Sequence, residues 1–170
     1  MEKIQFEEGD HASSKICRRG PSRQDRGRSP TVARVGQVLV KIGGAGVCHS
    51  DLHVMDENLG FKPPFILGHE NAGWIEELGE GVTSFEKGDA VAVYGPWGCG
   101  RCYSCQLSME NYCENWASLG TFGGGLGSDG GMADYMLVSS ARLLVPLGDL
   151  SPAKAASKLR FLTHPFLLKE

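Results

Sequence analysis

The stretch YGPWGCGRCYSCQLSMENYC, residues 94–113, contains four of the six cysteines of this chain. They are spaced C-x2-C-x2-C-x7-C, and each Cys-x-x-Cys step lets two thiolates from one tight turn reach the same ion. Zn²⁺ with four sulfur ligands has no open coordination position, so such a site is structural and stabilises the fold around it. The spacing therefore predicts a structural zinc lobe with the ligands Cys99, Cys102, Cys105 and Cys113.

The alternatives for these four cysteines are two disulfides or four free thiols. Residues 1–10 are charged and have no apolar core, so the sequence does not predict a signal peptide. Without an oxidising compartment, disulfides are disfavoured and metal binding is favoured. We therefore expect a cytoplasmic, metal-binding protein.

Length and composition indicate one soluble domain. The 170 residues suffice for one ordinary domain, and the formal charge of −3 argues against a general nucleic-acid-binding function. No apolar run approaches the ~18 residues needed to cross a membrane. Glycine, at 24 of 170 residues, is well above its usual share of about 7% and separates short runs rich in Val and Ile. This pattern predicts a β-rich domain with neither nucleic acid nor membrane as partner.

Short β-branched runs between turn residues predict the strands. We expect them at residues 1–10, 36–42, 88–95, 132–138 and 142–146, with a strand, a turn and a second strand within residues 71–85. The glycines from residue 43 onward should form a turn into a short helix, and Ser151-Pro152 should begin another helix. Six or seven short strands without βαβ alternation indicate a small barrel or sandwich.

Two stretches contain patterns that do not predict strands of the barrel. Residues 11–35 contain seven Lys or Arg residues and one acid, which predicts a disordered or poorly packed segment, with a nucleic-acid-binding arm as the alternative. Residues 125–130 spell G-x-G-x-x-G. A dinucleotide-binding fingerprint must follow a strand and begin a helix, whereas residues 132–138 predict a strand, so we reject that function here.

Cys48 and His69 are candidates for a second metal site, because each follows a glycine-containing turn and has polar or acidic neighbours. A catalytic zinc needs only three protein ligands and leaves a fourth position for substrate or water. Taken alone, Cys48 could equally be a buried free cysteine and His69 a hydrogen-bonded structural histidine. The spacing of the two residues does not decide between these readings.

Three motifs together give the chain a family resemblance. GHENAGWIEELGEGV, residues 68–82, fits the pattern G-H-E-x-x-G-x5-G-x2-V, GVCHSDLH at 46–53 matches a first zinc-ligand loop, and residues 99–113 match a structural zinc lobe. The chain resembles the N-terminal catalytic domain of zinc-dependent medium-chain alcohol dehydrogenases over about residues 36–150. The resemblance implies a mainly β fold, a GroES-like barrel with a structural zinc lobe and a few short helices. The domain would span residues 1–150, with a divergent tail at 151–170.

The resemblance also implies roles around a catalytic zinc. Cys48 and His69 would be two of its ligands, and Glu70 would be a neighbouring carboxylate that can approach the ion. Asp51 would accept a hydrogen bond from the other ring nitrogen of His69 and so fix its tautomer.

Residues after Cys48 would serve the substrate and the cofactor. Ser50 would hydrogen-bond the hydroxyl of an alcohol or carbonyl substrate, His53 would pass its proton to solvent, and His49 would lie near the pyrophosphate of NAD or NADP. Ser50 could instead cap a helix, and His53 could be an ordinary surface residue. Trp97 and Trp116 could flank a substrate pocket or simply pack.

The chain departs from the family pattern in its last residues. Family members continue into a nicotinamide-binding Rossmann domain, whereas this sequence ends at Glu170. The third zinc ligand should follow residue 155, but SKLRFLTHPFLLKE at 157–170 offers only His164 and Glu170 as donors. We hypothesise a truncated gene copy with a shifted reading frame, which resequencing would test. A catalytically inactive zinc-binding fragment is therefore the alternative function, and self-association through exposed surface is expected.

Overall fold

The computed structural model describes residues 32–56, 59–62 and 64–158. The predicted strand at 1–10, nearly all of the basic stretch and the tail from 159 onward lie outside the described residues. The strands are β1 (Val38–Gly46), β2 (Glu70–Leu78), β3 (Ala90–Val93), β4 (Gly123–Gly124), β5 (Gly127–Ser128), β6 (Tyr135–Val138) and β7 (Leu144–Pro146). The helices are α1 (His49–Asp56), α2 (Tyr103–Gln106), α3 (Trp116–Leu119) and α4 (Pro152–Ala156), with 3-10 turns at Glu110–Tyr112 and Ala141–Leu143.

Five of these strands form one antiparallel sheet in the order β6-β1-β2-β3-β7. One face of this sheet carries the core. Residues two apart on a strand point to the same side, so alternate apolar residues are buried together on that face. Strands β1, β3 and β6 each contribute such a buried pair: Val38 and Val40, Val91 and Val93, Met136 and Val138. The predicted mainly β fold is confirmed.

The opposite face of the sheet is built of small residues, so that α4 can approach its backbone. Ala72 and Ala92 form a cluster there with Ala155 and Ala156 of α4. A Cβ atom on Gly44 would lie 3.0 Å from the Cβ of Ala156, closer than packed side chains allow. The carbonyl oxygen of Ala156 lies near Gly46, so α4 ends beside the start of β2.

Two local predictions were wrong. The glycines after residue 42 do not form a turn, because β1 continues to Gly46 and pairs there with Glu70 of β2. The second strand predicted within residues 71–85 is absent, since residues 82–85 are irregular although Val82 and Phe85 pack on the core. Their apolar side chains fill the end of the core from a turn, without strand pairing.

The glycine-rich loop at 120–131 contains the short pairing of β4 with β5, an isolated bridge between Gly123 and Leu126, and no helix. Residues 125–130 thus lie in a loop that leads into strand β6, which is the context that the sequence predicted. Within the part of the chain that the structure describes, no helix has the length and apolar character needed to cross a membrane.

Candidate metal centres

The four cysteines of the lobe converge on one point. Their sulfur atoms all lie within 4.8 Å of one another, with 3.9 Å between the Sγ atoms of Cys99 and Cys105 and 4.0 Å between those of Cys102 and Cys113. A tetrahedral zinc with Zn–S bonds of about 2.3 Å places its sulfurs about 3.8 Å apart. The donor set thus fits zinc, and the separations are about twice an S–S bond, which excludes both disulfides in this arrangement.

Amide groups around the lobe stabilise thiolate charge. The Arg101 backbone N–H and the Asn115 side chain donate to Cys99 Sγ, at 3.5 Å and 3.3 Å, and lower the pKa of Cys99 to about 5. Burial raises the pKa of Cys105 to about 12. Zinc binds cysteine as the thiolate, so metal binding at this lobe releases protons. Sequence analysis missed Asn115, whose side chain donates to a ligand sulfur, because Asn115 belongs to no recognisable sequence motif.

Glycine is required at one turn of the lobe. Gly98 has a φ of +52°, in the left-handed region, and a Cβ atom there would lie 2.7 Å from Cys105 Sγ. Both the backbone conformation and the close approach of the sulfur exclude a side chain. This position lets the chain turn tightly before Cys99.

One arginine joins the lobe to the sheet. Arg142, in the 3-10 turn before β7, donates to Glu110 Oε1 at 2.5 Å and to the carbonyl oxygens of Trp97 and Gly98. The Glu110 side chain is 8% exposed and that of Arg142 is 33% exposed. The charge of the almost buried Glu110 is therefore balanced by Arg142, from the turn that leads into β7. The sequence did not indicate this contact.

A second donor group lies at the junction of β1, α1 and β2. The last β1–β2 pair joins Gly46 to Glu70, which places Cys48 beside His69. Cys48 Sγ is 3.0 Å from His69 Nε2, and the possible metal-ligand atoms of Cys48, Asp51 and His69 all lie within 4.8 Å of one another. The fold thus brings His69 to Cys48, 21 positions earlier in the sequence, and to Asp51 in the first turn of α1.

Asp51 holds both of the other members of this group. Its Oδ2 accepts the Cys48 backbone N–H at 3.0 Å, and its Oδ1 is 3.3 Å from His69 Nδ1. Burial raises the pKa of Asp51, but the contact with His69 outweighs it and leaves the pKa below its usual value. Burial lowers the pKa of His69, but hydrogen bonding and the charge of Asp51 outweigh burial and raise this pKa to about 9.

The two ring nitrogens of His69 therefore face different partners. Nε2 points to the Cys48 sulfur and Nδ1 points to the Asp51 carboxylate. An ion held between Cys48 and Nε2 would leave Asp51 on the far side of the ring. This geometry suits a carboxylate that orients the histidine.

Glu70 is buried but does not join the donor group described above. Its Oε2 lies close to Gly46, near the position that a Cβ atom of Gly46 would occupy. Glu70 therefore faces the end of α4, one residue away from His69.

Helix α1 carries the remaining candidates on its exposed side. His49, Ser50 and His53 are all exposed, and the Ser50 backbone N–H donates to Cys48 Sγ at 3.3 Å. The rings of His49 and His53 are in edge-to-face contact, with centroids 4.6 Å apart. Ser50 thus touches the donor group through its backbone, and His49 and His53 lie beside it on the same helix.

The two tryptophans occupy different surroundings. Trp97 is 8% exposed and belongs to the main core, which favours the packing interpretation. Trp116 is half-buried and stacks on Phe122, with ring centroids 4.2 Å apart. Trp116 also packs against the buried cysteines of the lobe, so both tryptophans have packing contacts.

An antiparallel β domain with a four-cysteine lobe and a separate cysteine–histidine group defines a metal-binding GroES-like domain. Residues 34–149 match the family model described as "Alcohol dehydrogenase GroES-like domain", and the chain belongs to this family.

Similar proteins agree with this assignment. The chain is 46% identical over 123 residues to a D-arabinose 1-dehydrogenase (NADP(+)) of Saccharolobus solfataricus, covering 71% of this chain and 34% of that protein. It is 45% identical over 130 residues to an NAD-dependent alcohol dehydrogenase of Sulfurisphaera tokodaii, covering 71% and 36%. The chain thus spans about a third of the length of the curated relatives that it matches.

Solved structures show the same fold. The crystal structure of the D-arabinose dehydrogenase from Sulfolobus solfataricus superposes with a TM-score of 0.66 at 43% identity, covering 76% of this chain and 39% of that one. A cobalt- and zinc-bound thermostable alcohol dehydrogenase from Pyrobaculum aerophilum gives 0.64 at 34% identity, covering 73% and 36%.

Proposed function

We propose that this chain is the zinc-binding domain of an enzyme that interconverts an alcohol and its aldehyde or ketone with NAD or NADP. The single observation that carries this proposal is the 3.0 Å contact between Cys48 Sγ and His69 Nε2, with Asp51 on the other ring nitrogen. The names of the similar proteins, a sugar dehydrogenase and alcohol dehydrogenases, supply the reaction class.

Cys48 and His69 would hold a catalytic zinc, and Cys99, Cys102, Cys105 and Cys113 would hold a structural one. When bound, the catalytic zinc supplies Lewis-acid chemistry that lowers the pKa of an alcohol hydroxyl. Asp51 keeps His69 Nε2 directed at the ion by holding Nδ1. Glu70 would approach the ion from the side of Gly46.

Ser50 and His53 would handle the proton of the substrate. They are three residues apart on α1 and so are neighbours on one helix face. A serine hydroxyl can accept and donate a hydrogen bond, and imidazole exchanges protons with water near neutral pH. His49, on the same exposed side, would lie near the cofactor's pyrophosphate.

The test is alcohol-dependent reduction of NAD⁺ or NADP⁺ by the zinc-loaded chain, followed by absorbance of the reduced nicotinamide. Turnover that falls by a factor of about 10² or more in Ser50→Ala supports the proton role. Ser139→Ala is the matched control, because Ser139 is also exposed and lies outside both donor groups. Equal activity of the two variants would contradict the role of Ser50.

A catalytically inactive zinc-binding module is the second candidate. It is favoured by one observation: among the described residues, the second donor group contains only Cys48, Asp51 and His69, and Asp51 faces the far ring nitrogen. Zinc bound at this group without any turnover on a panel of primary, secondary and sugar alcohols would support this candidate. Self-association through exposed surface also stays a proposal, and a single monomeric species in analytical ultracentrifugation would contradict it.

A further inference from the structure

A pair of histidines lies on the surface of α1, outside both donor groups. His49 and His53 are four residues apart, so their side chains stand on the same helix face one turn apart. Their ring centroids are 4.6 Å apart and their planes make an angle of 81°. Both residues are exposed, whereas Asp51 and Val54 of the same helix are buried. Two imidazoles are thus held together where an ion from solvent can reach them.

We propose that His49 and His53 form a third metal site, for a divalent transition-metal ion such as Ni²⁺ or Zn²⁺. Two histidines at positions i and i+4 of a helix can ligate one ion, as in helical H-E-x-x-H motifs. Imidazole nitrogen suits zinc, nickel and copper, and it discriminates against Mg²⁺ and Ca²⁺, which prefer oxygen ligands. The proposal concerns metal binding alone and stands whether or not the chain turns over an alcohol.

The geometry indicates an open, exchangeable site. One ring meets the other edge to face, so binding of one ion by both rings needs a rotation about a Cβ–Cγ bond, a torsion that is broad for histidine. Two protein nitrogens leave the other coordination positions to water. His49 is the first residue of α1, where the helix dipole disfavours cations. The ion should therefore bind more weakly here than at the four-cysteine lobe and be removed by dialysis.

The experiment is a titration of the zinc-loaded full chain with Ni²⁺, after dialysis removes loosely bound zinc. Calorimetry gives the number of bound Ni²⁺ ions, and NMR of the imidazole signals reports which rings approach the paramagnetic ion. The test variants are His49→Asn and His53→Asn. The matched controls are His11→Asn and His164→Asn, which change the two histidines that lie outside the described residues.

We expect one Ni²⁺ per chain, lost in either test variant and retained in both controls. The signals of His49 and His53 should broaden first, and this readout on the unchanged chain needs no variant to fold. Nickel binding that survives both test substitutions would overturn the proposal, as would a chain that binds no Ni²⁺. Release of one zinc per bound Ni²⁺, detected with a chromophoric chelator, would place nickel in a thiolate site and would also overturn it.

Discussion

Replacing Arg142 with Met should lower the free energy of unfolding by more than its partly exposed position suggests. The change removes the cation that neutralises Glu110, whose side chain is 8% exposed, and leaves the carbonyl oxygens of Trp97 and Gly98 without their donor. Breaking a buried pair by removing one partner costs roughly 3–5 kcal/mol. Because Arg142 is one-third exposed, we place the loss in the free energy of unfolding at the lower end, about 3 kcal/mol.

The assay is urea unfolding at saturating zinc. With an m-value of about 2 kcal/mol/M, the midpoint should fall by about 1.5 M. Lys87→Met is the matched control, because Lys87 pairs with Glu76 at 3.1 Å on the surface, where an ion pair contributes about 0–1 kcal/mol. A double variant, Arg142→Met with Glu110→Met, should recover much of the loss, since it buries no unpaired charge.

The result that would refute this reasoning is an Arg142→Met midpoint no lower than that of Lys87→Met. The carboxylate of Glu110 would then reach water or another partner when Arg142 is removed. Failure of the double variant to recover stability would show that packing of the arginine stem, and not charge, holds the lobe.

Two further changes test the donor groups. Asp51→Asn should weaken zinc binding at Cys48 and His69 by about 10–100-fold and leave the lobe unaffected, as measured by competition with a chromophoric chelator; an unchanged affinity would contradict the orienting role. Gly98→Ala should destabilise the chain by about 1–3 kcal/mol more than Gly120→Ala, because both glycines have a positive φ but only Gly98 has a neighbouring sulfur atom. Thermal unfolding compares the two alanine variants, and equal losses would show that backbone strain alone sets the cost.

The sequence predicted those features that are formed by residues close together in the chain. The lobe was predictable because its ligands lie within fifteen positions of one another and their spacing alone fits one ion. The contact of Cys48 with His69 spans 21 positions; their residue types made both candidates for a metal site, but only the family resemblance assigned them to the same ion. Arg142 and Glu110 are 32 positions apart and share no motif, so their pairing became visible only in the fold.

The errors have the same origin. Glycines after residue 42 predicted a turn by local propensity, but pairing with β2 extends β1 through them and makes room for α4. Val82 and Phe85 predicted a strand by composition, although they fill the core from an irregular segment. In both places tertiary packing overrides local preference.

The number of zinc ions per folded chain, measured by native mass spectrometry, tests the central claim most directly. After dialysis, which empties the weaker His49–His53 site, the account predicts two zincs for the unchanged chain, one for Cys48→Ser and one for Cys102→Ser, because each variant removes a sulfur ligand from a different centre. A single zinc in the unchanged chain that persists in Cys48→Ser would contradict the account, since Cys48 and His69 would then hold no metal.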